Sequence, residues 1–163
     1  MLTLSGCATF TQPTHATWTT QGRLAGQHHH DGFSANFFYA QTQQGFDLQL
    51  LGPLGMHPIR VVQTKGQVTA YFEGQRYTAH NAESLVYDLT SWELPVHFLS
   101  HWLHGKPAPA PKATQHRKNP HGRLVHFVQA GWNVELTYTQ QTLHKMILTN
   151  PPWRLKVLLH PSH

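Results

Sequence analysis

Residues 33–50 read FSANFFYAQTQQGFDLQL, and their pattern indicates the fold class. Every second position carries a side chain of one face, which comprises Phe33, Ala35, Phe37, Tyr39 and Gln41, and then Phe46, Leu48 and Leu50. A period of two is that of a β-strand with one apolar face. The intervening Thr42-Gln43-Gln44-Gly45 is short enough for a hairpin loop. The pattern therefore predicts two antiparallel strands that share an apolar face.

Outward from this hairpin, most of the chain has the same period. Gly, Pro or Asn signals separate the further strand candidates, which are 17–27, 57–64, 67–72, 75–79, 122–130, 132–139, 143–149 and 153–160. The spacing leaves no room for the helices that would connect parallel strands. We therefore expect about ten short antiparallel strands in a closed or nearly closed barrel.

The segment 81–111 interrupts the strands and predicts two short helices. Asn81 can cap the first, which carries Glu83 in its first turn and an apolar face behind it. The second begins near Pro95 and ends at Gly105. A stiff, extended connector, 106–111, contains three prolines and leads back to the strands.

Composition limits the classes of partner. A chain of 163 residues suits one domain, and 12 Lys+Arg against 7 Asp+Glu give a net charge of +5. The basic residues are scattered, with only Arg117 and Lys118 adjacent, so we expect no nucleic-acid partner. An acidic partner or an anionic membrane fits better. The candidate docking residues are Arg23, Arg60, Lys65, Arg76, Lys106, Lys112 and Lys156.

The N-terminal segment contains the chain's one cysteine, so no intramolecular disulfide can form. Leu4-Ser5-Gly6-Cys7 resembles the bacterial lipobox, in which the cysteine is acylated and becomes the first residue after cleavage. We therefore expect residues 1–7 to be a truncated signal peptide, 8–16 a flexible tether and 17–163 the barrel domain. The chain has no apolar run of 18 or more residues, the length that a membrane-spanning helix requires.

Catalytic motifs are missing from the sequence. It has no Gly-x-Ser-x-Gly elbow, phosphate-binding loop or His-Glu-x-x-His pair, so we predict no enzyme, no catalytic residue and no cofactor. Fifteen histidines leave a metal-binding protein or metalloenzyme open as an alternative. Its candidate ligands are His28, His29, His30 and Asp31, or the helical group His97, His101 and His104. A surface loop and a solvated helix face explain both groups without metal, so we predict no metal site.

An ordered set of short segments resembles a known family. The segments are Thr20-Gln21-Gly22-Arg23-Leu24, Phe37-Phe38-Tyr39-Ala40-Gln41, Leu50-Leu51-Gly52-Pro53-Leu54-Gly55, Ala82-Glu83-Ser84-Leu85, Trp92-Glu93-Leu94-Pro95-Val96, Trp102-Leu103-His104-Gly105-Lys106-Pro107, Gln129-Ala130-Gly131-Trp132 and Leu155-Lys156-Val157. In order and spacing the chain is similar to LolB, the outer-membrane lipoprotein receptor of Gram-negative bacteria, over nearly all of 17–160. Two features depart from the family: Tyr39 stands where Trp is usual, and residues 28–30 are histidines.

The resemblance implies a mainly β, single-domain, unclosed antiparallel barrel of the LolA/LolB type, with two or three short α-helices covering its mouth. It implies a monomeric receptor in the outer membrane, facing the periplasm, that takes lipoprotein acyl chains from a LolA-like carrier. Ala8 after Cys7 agrees with that location, because an Asp there commonly retains lipoproteins in the inner membrane. A soluble lipocalin-like or LolA-like periplasmic carrier of a hydrophobic ligand remains an alternative.

Two groups of site residues follow from the resemblance. Some of the apolar face is expected to line an acyl-chain cavity, drawn from Phe37, Tyr39, Phe46, Leu48, Leu50, Ile59, Val61, Leu99, Trp102, Trp132, Val134 and Leu136. The second group is a loop for membrane insertion formed by Pro53, Leu54 and Gly55. Pro53 favours a turn, which leaves Leu54 at the second central position, where a side chain tends to point outward.

Overall fold

The structure, a computed structural model, describes residues 9–13 and 15–160. Within these residues, eleven antiparallel strands form one sheet. Their bounds are β1 (Ala16–His28), β2 (Asp31–Thr42), β3 (Phe46–Leu51), β4 (Ile59–Thr64), β5 (Gln67–Phe72), β6 (Gln75–Ala79), β7 (Thr114–Lys118), β8 (Leu124–Gln129), β9 (Trp132–Thr139), β10 (Thr142–Asn150) and β11 (Trp153–Leu159).

The strand order is β6-β5-β4-β3-β2-β1-β11-β10-β9-β8-β7. Strands that are consecutive in the chain are neighbours in the sheet except β6 and β7, and β1 also pairs with β11, which joins the two halves. Strands β6 and β7 therefore stand at the two edges and do not pair with each other within the described chain. The predicted unclosed antiparallel barrel is confirmed.

Strand β7 is the one strand that the sequence pattern missed. All five of its side chains are exposed, so it has no alternation of apolar and polar residues. It pairs with β8 through the backbone, and the register shifts twice along the pair. An edge strand without a buried face carries no periodic signal, which is why the sequence suggested only about ten strands.

The two predicted helices are confirmed. Helix α1 spans Ala82–Thr90, and the Asn81 side chain accepts a hydrogen bond from the Ser84 amide at 3.0 Å. The second element begins as a 3-10 turn at Val96–Phe98 and continues as helix α2 at Leu99–Trp102. Gly105 follows with a φ of 73°, a conformation that glycine adopts without strain.

The outer face of the central hairpin is also buried, which alternation alone does not predict. All six residues of β3 are buried, including the outward-facing Asp47 and Gln49. Phe10 stacks on Phe38 of β2, with ring centroids 5.8 Å apart. The predicted tether 8–16 therefore contacts the sheet at Phe10, and its last residue, Ala16, begins β1.

Candidate functional site

An apolar cavity lies inside the barrel, between the sheet and the helical segment. Leucines from β1, β3, β10 and β11 form its sheet side, together with Phe37 and Val157. Leu94, Pro95, Leu99 and Leu103 close it from the helical side. The remaining void is only about 30 Å³, room for about one water molecule. Side chains therefore nearly fill the interior in this conformation.

A second, open cavity of about 630 Å³ lies at the mouth of the barrel. Phe33 and Ala35 of β2, Ile59 of β4 and Phe72 of β5 contribute apolar walls, and Leu89 and Trp92 cover the helical side. Leu50 lines both cavities. The mouth cavity and the inner cavity therefore adjoin at Leu50.

One aromatic stack spans this mouth. The Phe33 ring lies on the Trp92 indole, with centroids 4.0 Å apart and planes 9° apart. Gly26, opposite Phe33 on β1, makes room for that ring, since a Cβ on Gly26 would lie 2.1 Å from the Phe33 Cζ atom. The sheet and the segment after α1 are therefore joined by two stacked side chains.

The loop between β3 and β4 forms part of the rim. Gly52, Pro53 and His57 line the mouth cavity, while the Leu54 side chain points away and is 97% exposed. Leu54 has a φ of 59°, and the Gly55 amide donates to the Gly52 carbonyl at 3.0 Å. A positive φ is the conformation that type II turns require at the second central position, where Leu54 stands. Met56 adds a second exposed apolar side chain.

The structure buries the candidate cavity residues, except Leu99, which is half-buried. The inner cavity brings together four of them, Phe37, Leu48, Leu50 and Leu99. Ile59 lines the mouth cavity with Leu50. The other seven pack in the core outside these two walls and are Tyr39, Phe46, Val61, Trp102, Trp132, Val134 and Leu136.

Several lining residues were absent from the sequence-based list. Leu148, Leu155 and Val157 of β10 and β11 line the inner cavity, as do Leu24 of β1 and Leu103 after α2. A signal for the β11 residues was available, because Trp153, Leu155, Val157 and Leu159 alternate along that strand and are all buried. Alternation shows that they face inward but not that a cavity meets them.

A fully hydrogen-bonded glutamine fixes the end of the helical segment. Gln129 of β8 is 1% exposed and accepts from the Trp102 Nε1 at 2.8 Å and from the Ala108 amide at 2.9 Å. It donates to the Ala108 carbonyl at 2.8 Å and to the Pro111 carbonyl at 2.7 Å. The predicted connector 106–111 is thus pinned to the sheet. The sequence analysis noted the segment Gln129-Ala130-Gly131-Trp132, but nothing in it revealed that the Gln129 side chain binds the connector.

Near the start of the helical segment, Glu83 joins α1 to the following 3-10 turn. Its Oε1 atom accepts a hydrogen bond from the His97 amide at 2.6 Å.

Aromatic packing holds the Trp102 end of the helical segment. The Trp102 ring lies between Phe98 and Phe127 of β8, with ring centroids 4.9 Å and 6.0 Å away. The end that carries Trp102 is therefore more firmly held to the sheet than the segment around Trp92.

Among the described residues, the histidines do not converge on a common point. The His104 ring lies against Trp18, with centroids 3.9 Å apart and planes tilted by 36°, and the His97 ring stacks on Phe98. Burial, followed by the charge of Lys106 and by His101, lowers the pKa of His104. The His28 ring lies against Trp153 with its plane tilted by 36°. In the part of the chain that the structure describes, no group of three or more His, Cys, Asp or Glu side chains could hold a metal ion.

The candidate docking cations are mostly exposed. Arg60 differs, because its Nη2 and Nε atoms bind the buried Asp47 carboxylate, at 2.6 Å from Nη2 to Oδ2 and 3.1 Å from Nε to Oδ1. This hydrogen bonding raises the pKa of Arg60. Arg60 is therefore committed to the outer face of β3. The other six remain candidates and are Arg23, Lys65, Arg76, Lys106, Lys112 and Lys156.

The anchor candidate, Cys7, lies outside the described residues. Among residues 9–13 and 15–160, no helix is long and apolar enough to span a membrane.

Comparison with known proteins matches the chain to one family. The sequence model of the family described as "Outer membrane lipoprotein LolB" matches residues 16–160. The chain is 35% identical over 126 residues to the outer-membrane lipoprotein LolB of Pseudomonas fluorescens (strain Pf0-1), covering 76% of this chain and 61% of that protein. It is 30% identical over 130 residues to that of Cellvibrio japonicus (strain Ueda107), covering 79% of this chain and 64% of the relative. The chain thus aligns with about three fifths of the length of these curated relatives.

Proposed function

The chain belongs to the LolB family, and we propose that it accepts lipoproteins from a soluble, LolA-like periplasmic carrier and inserts them into the outer membrane. In this proposal acylated Cys7 anchors a monomeric protein to that membrane, facing the periplasm, and residues from 8 onward link the anchor to the barrel. The observation that carries the proposal is the exposed Leu54, which stands on the rim of an apolar mouth cavity.

The physical need for such a protein is the cost of exposing acyl chains to water. Each methylene that leaves an apolar environment costs ~0.8 kcal/mol, so release of several chains into the periplasm would cost tens of kcal/mol. Transfer must therefore proceed from cavity to cavity and then to bilayer. It requires an apolar interior and a membrane contact and no making or breaking of bonds, so the proposed activity is not enzymatic.

Acceptance of an acyl chain requires the interior to open. An inner void of about 30 Å³ cannot hold an acyl chain, whereas the mouth cavity of about 630 Å³ already exposes apolar walls. Leu50 lines both spaces, and Leu94 and Leu99 close the inner one from the helical side. We therefore expect the segment around Trp92 to move away from Phe33 during loading, while the Trp102 end stays bound to Gln129.

Delivery would begin when the rim touches the bilayer. Insertion of one leucine into the lipid interface contributes roughly 1.5–3 kcal/mol, which can orient the mouth but cannot by itself anchor the protein. Because Pro53 and Gly52 line the mouth cavity, a membrane contact at Leu54 would place the cavity's opening beside the lipids. The acyl chains could then leave one apolar environment for another.

Docking of the carrier is proposed to depend on charge. The net charge of +5 would attract an acidic carrier surface, and such attraction acts mainly on the association rate and is screened by salt. The association rate should therefore fall between low and high salt. An association rate that does not change with salt would remove this part of the proposal.

A soluble carrier of hydrophobic ligands is the alternative function, since it would share the barrel and its interior. Anchoring separates the two, because a carrier must diffuse while a receptor stays at the membrane. With a complete signal peptide supplied, the parent chain should sediment with outer membranes, and Cys7→Ala should be periplasmic and soluble. A Cys7→Ala protein that still sediments wholly with outer membranes would refute the lipid anchor.

The test of acceptance is transfer of a labelled lipoprotein from the loaded carrier to the purified chain. Leu99→Glu would place a charge in the cavity wall from a half-buried position, so it should reduce acceptance. His101→Glu in the same helix is the matched control, because His101 is also half-buried but lines neither cavity. Equal acceptance by a folded Leu99→Glu variant and the parent would contradict the proposed cavity.

A further inference from the structure

The outer face of the barrel holds the segment that precedes β1. Thr11 and Gln49 exchange two hydrogen bonds: the Thr11 amide donates to Gln49 Oε1 at 2.8 Å, and Gln49 Nε2 donates to the Thr11 carbonyl at 2.6 Å. A neighbouring strand would satisfy the same two backbone groups in the same way. Gln49 thus acts as a one-residue strand partner for Thr11.

Adjacent contacts strengthen this attachment. Phe38 is the cross-strand partner of Gln49, and it carries the Phe10 ring at 5.8 Å. Both Phe38, 4% exposed, and Gln49, 6% exposed, are buried although they lie on the outer face of the sheet. We call the contacts of Phe10 and Thr11 with Phe38 and Gln49 the outer clamp.

Charged residues hold the clamp's amide in place. Gln49 Nε2 lies 3.5 Å from Asp47 Oδ1, and Asp47 is in turn bound by the Arg60 guanidinium. Buried polar side chains are costly unless hydrogen-bonded. A chain of hydrogen bonds runs from Arg60 through Asp47 and Gln49 to Thr11, and Thr11 supplies two partners of the Gln49 amide.

The register shows where the clamp leads the chain. Ala16 pairs with Thr42 at the end of the barrel that carries the β2–β3 turn. The loop that carries Leu54 follows Leu51, which is level with Asn36 and therefore with Arg23 of β1. The distance along β1 from Ala16 to Arg23 is about 23 Å. A linker that left the barrel freely at Ala16 would start from the end opposite to Leu54.

The clamp reverses that path. Thr11 binds at the level of Gln49, so Thr11 lies closer to the Leu54 loop than Ala16 does. Thr9 lines an outer groove together with Leu51, His57 and Pro58, the residues that flank this loop. Cys7 precedes Thr9 by two residues, or about 7 Å of extended chain at most.

We propose that the outer clamp is a positioning device that brings the lipid-bearing Cys7 to the same end of the barrel as Leu54, so that anchor and insertion loop meet one bilayer surface. The proposal rests on the proposed anchoring at Cys7. The clamp itself is independent of cargo and of acylation. Its residues do not touch the acyl chains; they act through the linker.

A distance measurement tests the clamp without any transport assay. In a Cys7→Ala background, nitroxide labels at Thr9→Cys and His57→Cys report the path of the segment by pulsed electron resonance, and a Thr9→Cys with Gln43→Cys pair reports the opposite end. We expect a narrow Thr9 to His57 distribution that is shorter than the Thr9 to Gln43 one. Phe10→Ser should broaden and lengthen it, and Gln12→Ala, an exposed linker substitution, should leave it unchanged. A broad distribution in the parent chain would overturn the clamp.

A second measurement tests its use at the membrane. In acylated protein bound to liposomes, Phe10→Ser should slow deposition of lipoprotein while leaving acceptance from the carrier intact. In unanchored Cys7→Ala protein the same substitution should have no effect, because no anchor remains to be placed. Equal slowing in both forms would overturn the positioning role. Absence of deposition by the parent would instead refute the proposed function and leave the distance result standing.

Discussion

The Phe33 ring lies flat on the Trp92 indole, 4.0 Å away between centroids, and joins the start of β2 to the segment after α1. Cavities flank this pair on both sides, one at the mouth and one bounded by His28, Tyr87 and Trp153. No other described aromatic pair joins β2 to the segment between α1 and the 3-10 turn. We therefore regard the stack as the closure of the mouth.

Removal of one ring should open the mouth. Phe33→Ala should speed uptake of a fluorescent fatty acid, because it removes a stacking interaction of about 0.5–1.5 kcal/mol and empties one wall of the mouth cavity. Stopped-flow fluorescence measures the uptake rate. Tyr71→Ala removes a 45% exposed aromatic ring that does not line the mouth cavity and should leave the rate unchanged. Slower uptake by Phe33→Ala would show that the ring guides the ligand rather than closing the mouth.

Gly26 should be intolerant of a methyl group. Gly26→Ala places a Cβ within 2.1 Å of the Phe33 ring, so the ring must leave its stack or the strands must shift. We expect a loss of about 1–3 kcal/mol of unfolding free energy, the usual cost of overpacking. Urea denaturation measures it. Gly32→Ala is the matched control, since its Cβ would meet only the Gly26 carbonyl oxygen at 3.6 Å. Equal stabilities of the two variants would contradict the close packing.

Loss of the Gln129 side chain should release the helical segment. Gln129→Ala leaves four groups without partners, including the Trp102 Nε1 and the Ala108 amide. An unpaired buried polar group costs about 1–3 kcal/mol, so the variant should lose at least that much stability in urea denaturation. Gln67→Ala, at an exposed position of β5, should lose almost none. A Gln129→Ala protein as stable as Gln67→Ala would show that water replaces the lost partners at no cost.

Tyr39 should destabilise the fold through its hydroxyl. The side chain is fully buried, and its oxygen has no hydrogen-bond partner among the described residues. Burial raises the pKa of Tyr39, and nearby Ser100 offsets only part of the rise. Tyr39→Phe should therefore increase the unfolding free energy by about 1–3 kcal/mol. Tyr71→Phe, at an exposed position, should not. A less stable Tyr39→Phe variant would indicate a hydrogen bond to this hydroxyl.

The same substitution should change the response to alkali. An unfolded tyrosine loses its proton at about pH 10, whereas the raised pKa keeps folded Tyr39 protonated. The unfolded state therefore binds fewer protons above that pH, and stability falls as the pH rises. Urea denaturation across this range should show a shallower fall for Tyr39→Phe. The fall should not disappear, because burial also raises the pKa of Tyr138. Identical slopes for variant and parent would contradict the burial effect.

Alternation in the sequence predicted every strand but β7, because each strand with one buried face repeats with a period of two, and the family resemblance implied the unclosed barrel. Alternation could not predict what covers the other face. Phe38 and Gln49 occupy outward positions and are buried where Phe10 and Thr11 contact them. That contact joins positions far apart in the chain and leaves no local periodic signal.

The candidate site could be predicted only in part, because alternation does not show which buried side chains line a cavity. Phe37 and Tyr39 alternate on the same face and are both buried, yet only Phe37 lines the inner cavity. Which inward side chain meets a void depends on the packing of Leu94, Leu99 and Leu103 from the helical segment. The Leu54 turn was more readily predicted, because Pro53 and the flanking glycines specify its backbone locally.

The most direct test of the account is the rate at which Leu54→Glu delivers a labelled lipoprotein to liposomes after loading by the carrier. Because Leu54 is 97% exposed and packs against nothing in the core, the variant should fold and accept cargo like the parent. Burial of a charged side chain in the interface is unfavourable, so its deposition should be clearly slower, while Leu54→Phe should deposit at about the parent rate. Equal deposition by Leu54→Glu and the parent would contradict the central claim that this loop brings the mouth to the membrane.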